Sequence, residues 1–478
     1  MGKILKFFFL SVPLISSLFV YPQIIVQKQL KLSGLFSDHM VLQQRSKVNF
    51  WGESDRGQKI KITSSWGGRV SATADAQGRW KVKLLTPKAG GPYIIDIKTA
   101  ESDIEIKDVL IGEVWLASGQ SNMDIPLKGW PPGDTIQNSA QEISKADYPD
   151  IRFLKVPFNT SATPLDSAGG KWIAASPETA GNFSATAYFY ALKLHQQLRV
   201  PIGIVQSSIG GTPAEAWTSK DYLEKMGDFN EAIDRLKKRA NKSPPDSNSP
   251  TVLFNAMISP LIPYTVKGVI WYQGESNVGR AEQYKRLFPL MIADWRTKWG
   301  RELPFYFVQI APFLYSAADQ KGQSQKLRDA QRYALKLPKT GMVTTLDIGY
   351  LKTAHPPYKK EVGYRLARFA LANDYGQNLI ASGPVYKKTI ISGNKLIIKF
   401  RSVGSGLATS TQGLFNFEIA GADSVYFPAQ AKIINNKIVV SRASIIHPMY
   451  VRYAWTDSST ATLFNKEGLA AGTFTSEK

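Results

Sequence analysis

The stretch Lys107 to Met123, KDVLIGEVWLASGQSNM, constrains this chain more than any other. Val109 to Ala117 is an apolar run broken only by Gly112 and Glu113. A run of this kind suits a strand buried on both faces. It stops abruptly in a small polar cluster, Ser118-Gly119-Gln120-Ser121-Asn122. Open α/β sheets place their chemistry at the carboxyl ends of such strands. Ser121 is therefore the first candidate nucleophile. A turn serine capping the next helix is the plain alternative.

The flanking sequence is organised in blocks. Residues 28–105 read as a small β domain of sandwich or jelly-roll type, with short strands such as Lys47–Trp51, Lys59–Ile62 and Arg79–Val82 between glycine turns. From 106 to 378 buried-type strands alternate with helical patterns. The strands are Val109–Ala117, Ile202–Gln206, Val269–Tyr272, Phe305–Ile310 and Met342–Leu346. The helices are Ala187–Leu198, a charged one over 220–239, Gln283–Trp299, Gln325–Leu335 and Glu361–Ala372. Such alternation predicts a parallel sheet flanked by helices. A polar, proline-rich loop, Asn241–Pro250, interrupts it. Residues 379–478 return to β patterns.

Bulk composition narrows the function. The 478 residues exceed one ordinary core. The absence of cysteine excludes disulfides, thiolate zinc sites and a cysteine nucleophile. The net charge of +21 is scattered, without RNA-binding or zinc-finger spacing, so no nucleic acid partner is expected. Lys3 and Lys6 precede an apolar stretch, Phe7 to Val20. This reads as a signal peptide over residues 1–23, with a signal anchor as the competing reading. Export to the periplasm or beyond follows, without stable membrane insertion after cleavage.

Four strand ends carry the chemistry. They lead into Gly119-Gln120-Ser121-Asn122, Ser207-Ser208-Ile209-Gly210-Gly211-Thr212, Gln273-Gly274-Glu275-Ser276-Asn277, and the loop from Asp347 to His355. In a parallel sheet these ends share one edge. The set fits acyl transfer: a serine needs a base, and a tetrahedral intermediate needs donors. A bare backbone at Gly210 or Gly211, the side chain of Asn277 and the Ser121 amide are the candidate donors. Of four histidines, His39 and His447 lie in the β regions and His195 in a helix pattern, which leaves His355 as base. Trp115, Trp217 and Trp271 are sugar platforms or, more simply, core.

These blocks resemble a family. Gly119-Gln120-Ser121-Asn122-Met123, Gly210-Gly211-Thr212-Pro213-Ala214-Glu215-Ala216-Trp217 and Trp271 to Asn277 are similar to those of the sialate O-acetylesterase family of SGNH hydrolases. Leu35 to Leu42 resembles its opening; Tyr450 to Trp455 and Asn465 to Leu469 resemble its ending. The resemblance implies an SGNH-like α/β fold with Ser121 as nucleophile and His355 as base. Gly210 or Gly211 and Asn277 would form the oxyanion hole. It implies hydrolysis of acetyl esters on a carbohydrate, foremost sialic acid, with no metal or organic cofactor. Gln120, Gln273 and Glu275 are candidates for substrate contact or site support. In one respect the chain departs from the family: Thr353 stands where an aspartate often precedes the histidine. Either Asp347 or another carboxylate reaches the ring, or Thr353 or a carbonyl orients it, or the enzyme is impaired. Acetylated xylan as substrate, and a decayed glycan-binding protein, are the rival functions.

Overall fold

The structure, a computed structural model, describes residues 1–3, 30–239 and 244–477. Most of the segment read as a signal peptide, and the start of the 241–250 loop, lie outside the described residues. Strand β1 (Asp103–Gly119) is the spine. Its sequence changes character along its length, and its environment changes with it. From Asp103 to Lys107 exposed residues alternate with Ile104 and Ile106, and one face is wet. From Val109 onward every residue is buried. The first part pairs antiparallel with Gly90–Lys98 and the middle pairs parallel with Val41–Gln43. The boundary drawn between 105 and 106 falls inside this strand, so part of the amino-terminal β region joins the helix-flanked strands in one eleven-stranded sheet, while Lys31–Leu32, Lys47–Glu53 and Arg79–Leu85 form a separate three-stranded sheet.

Glu113, the charge within the apolar run, is buried but not orphaned. Its carboxylate accepts from Gln43 (3.0 Å), Gln44 (2.7 Å) and the Tyr375 hydroxyl (2.8 Å). Donors of this kind are what make a buried carboxylate tolerable.

The strands that follow are β2 (Tyr148–Lys155), β3 (Trp172–Ala175), β4 (Ile202–Ser208), β5 (Gly268–Tyr272), β6 (Phe305–Val308) and β7 (Thr340–Val343). Their order is β3-β2-β4-β1-β5-β6-β7. All these neighbours are parallel except β3 and β2. The chain places β2, β3 and β4 on one side of β1 and then β5, β6 and β7 on the other, which makes the carboxyl end of β1 the topological switch point. Helices α1 (Ser121–Asp124), α2 (Ala185–Leu198), α3 (Ala281–Trp299), α4 (Ser324–Tyr333) and α5 (Lys359–Asn373) follow their strands. Alternate sheet residues serve opposite layers. Trp115, Ala117 and Ile270 pack with α2 and α5. Leu116, Val269 and Trp271 pack with α3 and α4.

The charged helix expected over 220–239 is two helices, Lys220–Met226 and Asn230–Arg239. Gly227 separates them at φ +82°, a left-handed cap that glycine accepts without strain. The carboxyl-terminal region is antiparallel, with Val385–Ser392, Lys395–Arg401, Lys437–Ser441 and Gln430–Ile434 in one sheet. It docks on α4 through the buried Arg328 guanidinium, which donates to Thr473 Oγ1 (2.9 Å) and to the Thr456 carbonyl.

Gly119 ends β1 at φ +136°, and a Cβ there would lie 2.1 Å from the Tyr272 carbonyl oxygen. Gly119→Ala is expected to destabilise the protein by at least the ~1–3 kcal/mol of such backbone strain, read as a lower urea midpoint at unchanged slope. An unchanged midpoint would show that the strand end has room to spare.

Candidate active site

The register brings three loops to one point. Gly119 stands opposite Ser208 of β4 and Tyr272 of β5. Past that level Gln120 N–H donates to the Tyr272 carbonyl (2.9 Å), and Ile209 N–H donates to the Gly119 carbonyl (3.1 Å). Ser121 then opens α1, 8% exposed. As the first helical residue it has no carbonyl within its helix for its own N–H.

The two glycine candidates flank this serine differently. A Cβ at Gly210 would lie 3.6 Å from Ser121 Cβ, so that backbone abuts the hydroxyl-bearing residue. Gly211 sits at φ +71° with open space around it. Asn277 is fully buried and held from three directions. Its Oδ1 accepts from Ala214 N–H (3.0 Å) and from Gln273 Nε2 (2.6 Å), and its Nδ2 donates to Glu215 (3.0 Å). The amide carries a second N–H besides that one. Glu215 in turn pairs with Arg280 at 2.7 Å. Gln273 also accepts from Tyr284 (3.1 Å), and Gln120 Oε1 accepts the N–H groups of Gly274 (3.4 Å) and Ser276 (3.3 Å). These two glutamines brace the loop after β5 from inside. Glu275 is turned inward as well. Its Oε1 accepts from Asn122 Nδ2 (2.6 Å), and burial raises its pKa.

His355 lies on the loop after β7, half-buried, with Nδ1 2.7 Å from Asp134 Oδ2. The Thr353 hydroxyl donates to the other oxygen of Asp134 (2.8 Å) and accepts the backbone N–H of His355 (3.0 Å). A carboxylate only accepts, so this contact puts the proton on Nδ1 and leaves Nε2 as the basic nitrogen. Asp134 comes from the loop after α1, where it forms a backbone bridge with Trp130 (2.8 and 3.1 Å). Gln137 N–H ties that loop to the Pro357 carbonyl beside His355 (3.1 Å). Asn122 and Ala354, the neighbours of Ser121 and His355, are hydrogen-bonded at 2.9 Å.

Two expectations need correction. Asp347 does not reach the ring; both its oxygens are taken by the Arg365 guanidinium. Thr353 does not orient the ring itself but steadies the carboxylate that does. Asp134 was the residue missed. Its one signal in the sequence was a carboxylate on a stiff Pro-Pro-Gly loop leaving the serine helix. Trp115, Trp217 and Trp271 are fully buried, hence core. The aromatic beside the site is Trp130, 36% exposed, its ring edge-on to His355 at 5.5 Å. The other histidines are elsewhere: His39 pairs with Asp108, His195 with the Val200 carbonyl, and His447 is exposed. Among the described residues no cluster of metal-ligating side chains occurs, and no helix is long and apolar enough to cross a membrane.

Known proteins are similar to this chain over most of its length. The family described as carbohydrate esterase, sialic acid-specific acetylesterase, matches residues 111–372, more than half of the chain. Sialate O-acetylesterase of Mus musculus is 29% identical over 89% of both chains. That of Rattus norvegicus is 30% identical over 77% of this chain and 78% of its own. The crystal structure of a carbohydrate acetylesterase from Xanthomonas citri superposes with a TM-score of 0.84 at 37% identity, covering 94% of this chain and all of that one. The chain thus belongs to the sialic acid-specific acetylesterase family of carbohydrate esterases and is a carboxylic ester hydrolase.

Proposed function

We propose that this esterase removes O-acetyl groups from sialic acids through an acetyl-serine intermediate. Ser121 Oγ attacks the acetyl carbonyl and passes its proton to His355 Nε2. The oxyanion receives N–H groups from Ser121, from Gly210 or Gly211, and from Asn277; each such donor is worth about a hundred- to a thousand-fold in rate. Collapse breaks the bond to the sugar oxygen, which takes the proton from His355. Water, deprotonated by the same nitrogen, then frees acetate and restores Ser121. Asp134 holds the tautomer and stabilises the imidazolium.

The single observation behind this reading is the 2.7 Å contact between Asp134 and His355. It supplies the acid that Thr353 lacks, so the argument for a decayed, purely glycan-binding protein loses its basis. The sialate preference draws on the names of the mouse and rat relatives. Hydrolysis of an acetylated polysaccharide such as xylan is the second reading, favoured by the broader description of the Xanthomonas citri neighbour. Periplasmic or secreted placement belongs to the proposal too and rests on the amino-terminal sequence alone.

Ser121→Ala is expected to lower acetate release by about 10⁶-fold. Asp134→Asn should cost about 10⁴-fold in kcat, whereas Asp347→Asn should leave kcat nearly unchanged. A large loss at Asp347 with none at Asp134 would reverse the assignment of the acid. At equal ester concentration, kcat/KM should be higher on O-acetylated sialic acid than on acetylated xylan; the opposite order would move the substrate to the polysaccharide.

A further inference from the structure

A buried polar chain runs behind the site, and the acetyl-transfer scheme does not use it. Lys359, the first residue of α5, is 1% exposed. Its ammonium donates to the carbonyl of Pro356 (2.5 Å) and to Asn122 Oδ1 (2.9 Å). The Asn122 side chain is fully buried, and its Nδ2 donates to the carbonyl of Ala354 (2.9 Å) and to Glu275 Oε1 (2.6 Å). The two carbonyls gripped here belong to the residues on either side of His355. Both grips meet on the side chain of the residue that follows Ser121. The direction of the amide is forced, because an ammonium only donates and a carboxylate only accepts. The backbone of Asn122 is fixed separately, its carbonyl accepting from Thr186 Oγ1 (3.0 Å).

We infer that Asn122 and Lys359 are positioning residues that set the His355 imidazole against Ser121, with Glu275 as their anchor. The inference rests on the proposed roles of Ser121 and His355. Its force comes from cost. Burying an ammonium is expensive, and a loop could be held by apolar packing far more cheaply. Burial here pushes Lys359 down to about 7, against the opposing pull of Glu275 and Asp134. A buried amino group with its hydrogen bonds on the His355 loop and on the residue beside the nucleophile joins two catalytic groups that lie far apart in the chain. Glu275, a buried carboxylate, accepts from the same Asn122 amide at 2.6 Å and opposes the lowering of the Lys359 pKa. Misplacing a reacting group by about 1 Å can cost on the order of 100-fold.

The test is a pair of mutant cycles on an aryl acetate substrate. Lys359→Met and Asn122→Ala are each made in the wild-type protein and in His355→Ala, with melting curves to establish that every variant is folded. Each single variant should lose about 100-fold in kcat with KM within about twofold. In the His355→Ala background the same changes should cost less than about threefold, because the group they position is gone. Equal losses in both backgrounds, or an unchanged kcat in the single variants, would overturn the inference. Should Lys359→Met not fold, Asn122→Ala carries the same comparison. Full activity of His355→Ala would instead sink the assignment of the base, a result distinguishable from either.

Discussion

The approach of Gly119 to the Tyr272 carbonyl governs the rest of the molecule. It lets β1 and β5 stay in register to their last residues, so the chain turns into α1 directly above the sheet. With a side chain at 119 the strands would part. The Gln120 N–H then closes on the same carbonyl, and the Ile209 N–H on that of Gly119. Three loops that carry a serine, a pair of glycines and an asparagine are thereby tied to one another through backbone atoms. Their relative positions owe little to side-chain choice, which is why a parallel sheet offers such a dependable frame at its switch point.

Several polar side chains in that frame are hydrogen-bonded to one another. Gln273 joins Asn277 to Tyr284, Glu215 joins Asn277 to Arg280, and Gln331 donates to the Gln273 and Val308 carbonyls. Each partner fixes which way an amide faces. A donor held in this manner needs no reorientation when charge develops nearby, and fixed dipoles in a water-poor setting do more than mobile ones. The same economy explains Glu113 lower in β1, where three donors allow a carboxylate to interrupt a dry strand.

Much of this was legible because it is local. The apolar run from Val109 to Ala117 gave the buried part of β1, the 3.6-residue stripe of Tyr284, Leu287, Phe288, Met291, Ile292 and Trp295 gave α3, and a run of blocks at strand ends gave the cluster. Burial of Trp115, Trp217 and Trp271 follows from their place in or beside those strands. What escaped was non-local. The His355–Asp134 pair spans 221 positions, and nothing in the composition of a Trp-Pro-Pro-Gly-Asp loop says which strand end it will meet. The break at Gly227 was local and readable, but a charged helical pattern on both sides masked it.

The exchange at position 353 shows why residue spacing is a weaker guide than geometry. An imidazole needs an acceptor at Nδ1; it is indifferent to the origin of that acceptor. Here the carboxylate arrives from the loop after α1, and the hydroxyl of Thr353 lies beside it. That hydroxyl bonds the far oxygen of Asp134 and also caps the His355 N–H, so the threonine has become a brace for a carboxylate on another loop. Loop and brace are in turn secured by the Trp130–Asp134 bridge and by Gln137 on Pro357. The carboxylate beside His355 thus comes from a residue 221 positions away in the chain. A reader who asks only for Asp two residues before His would miss the carboxylate that the fold brings to the His355 ring from Asp134.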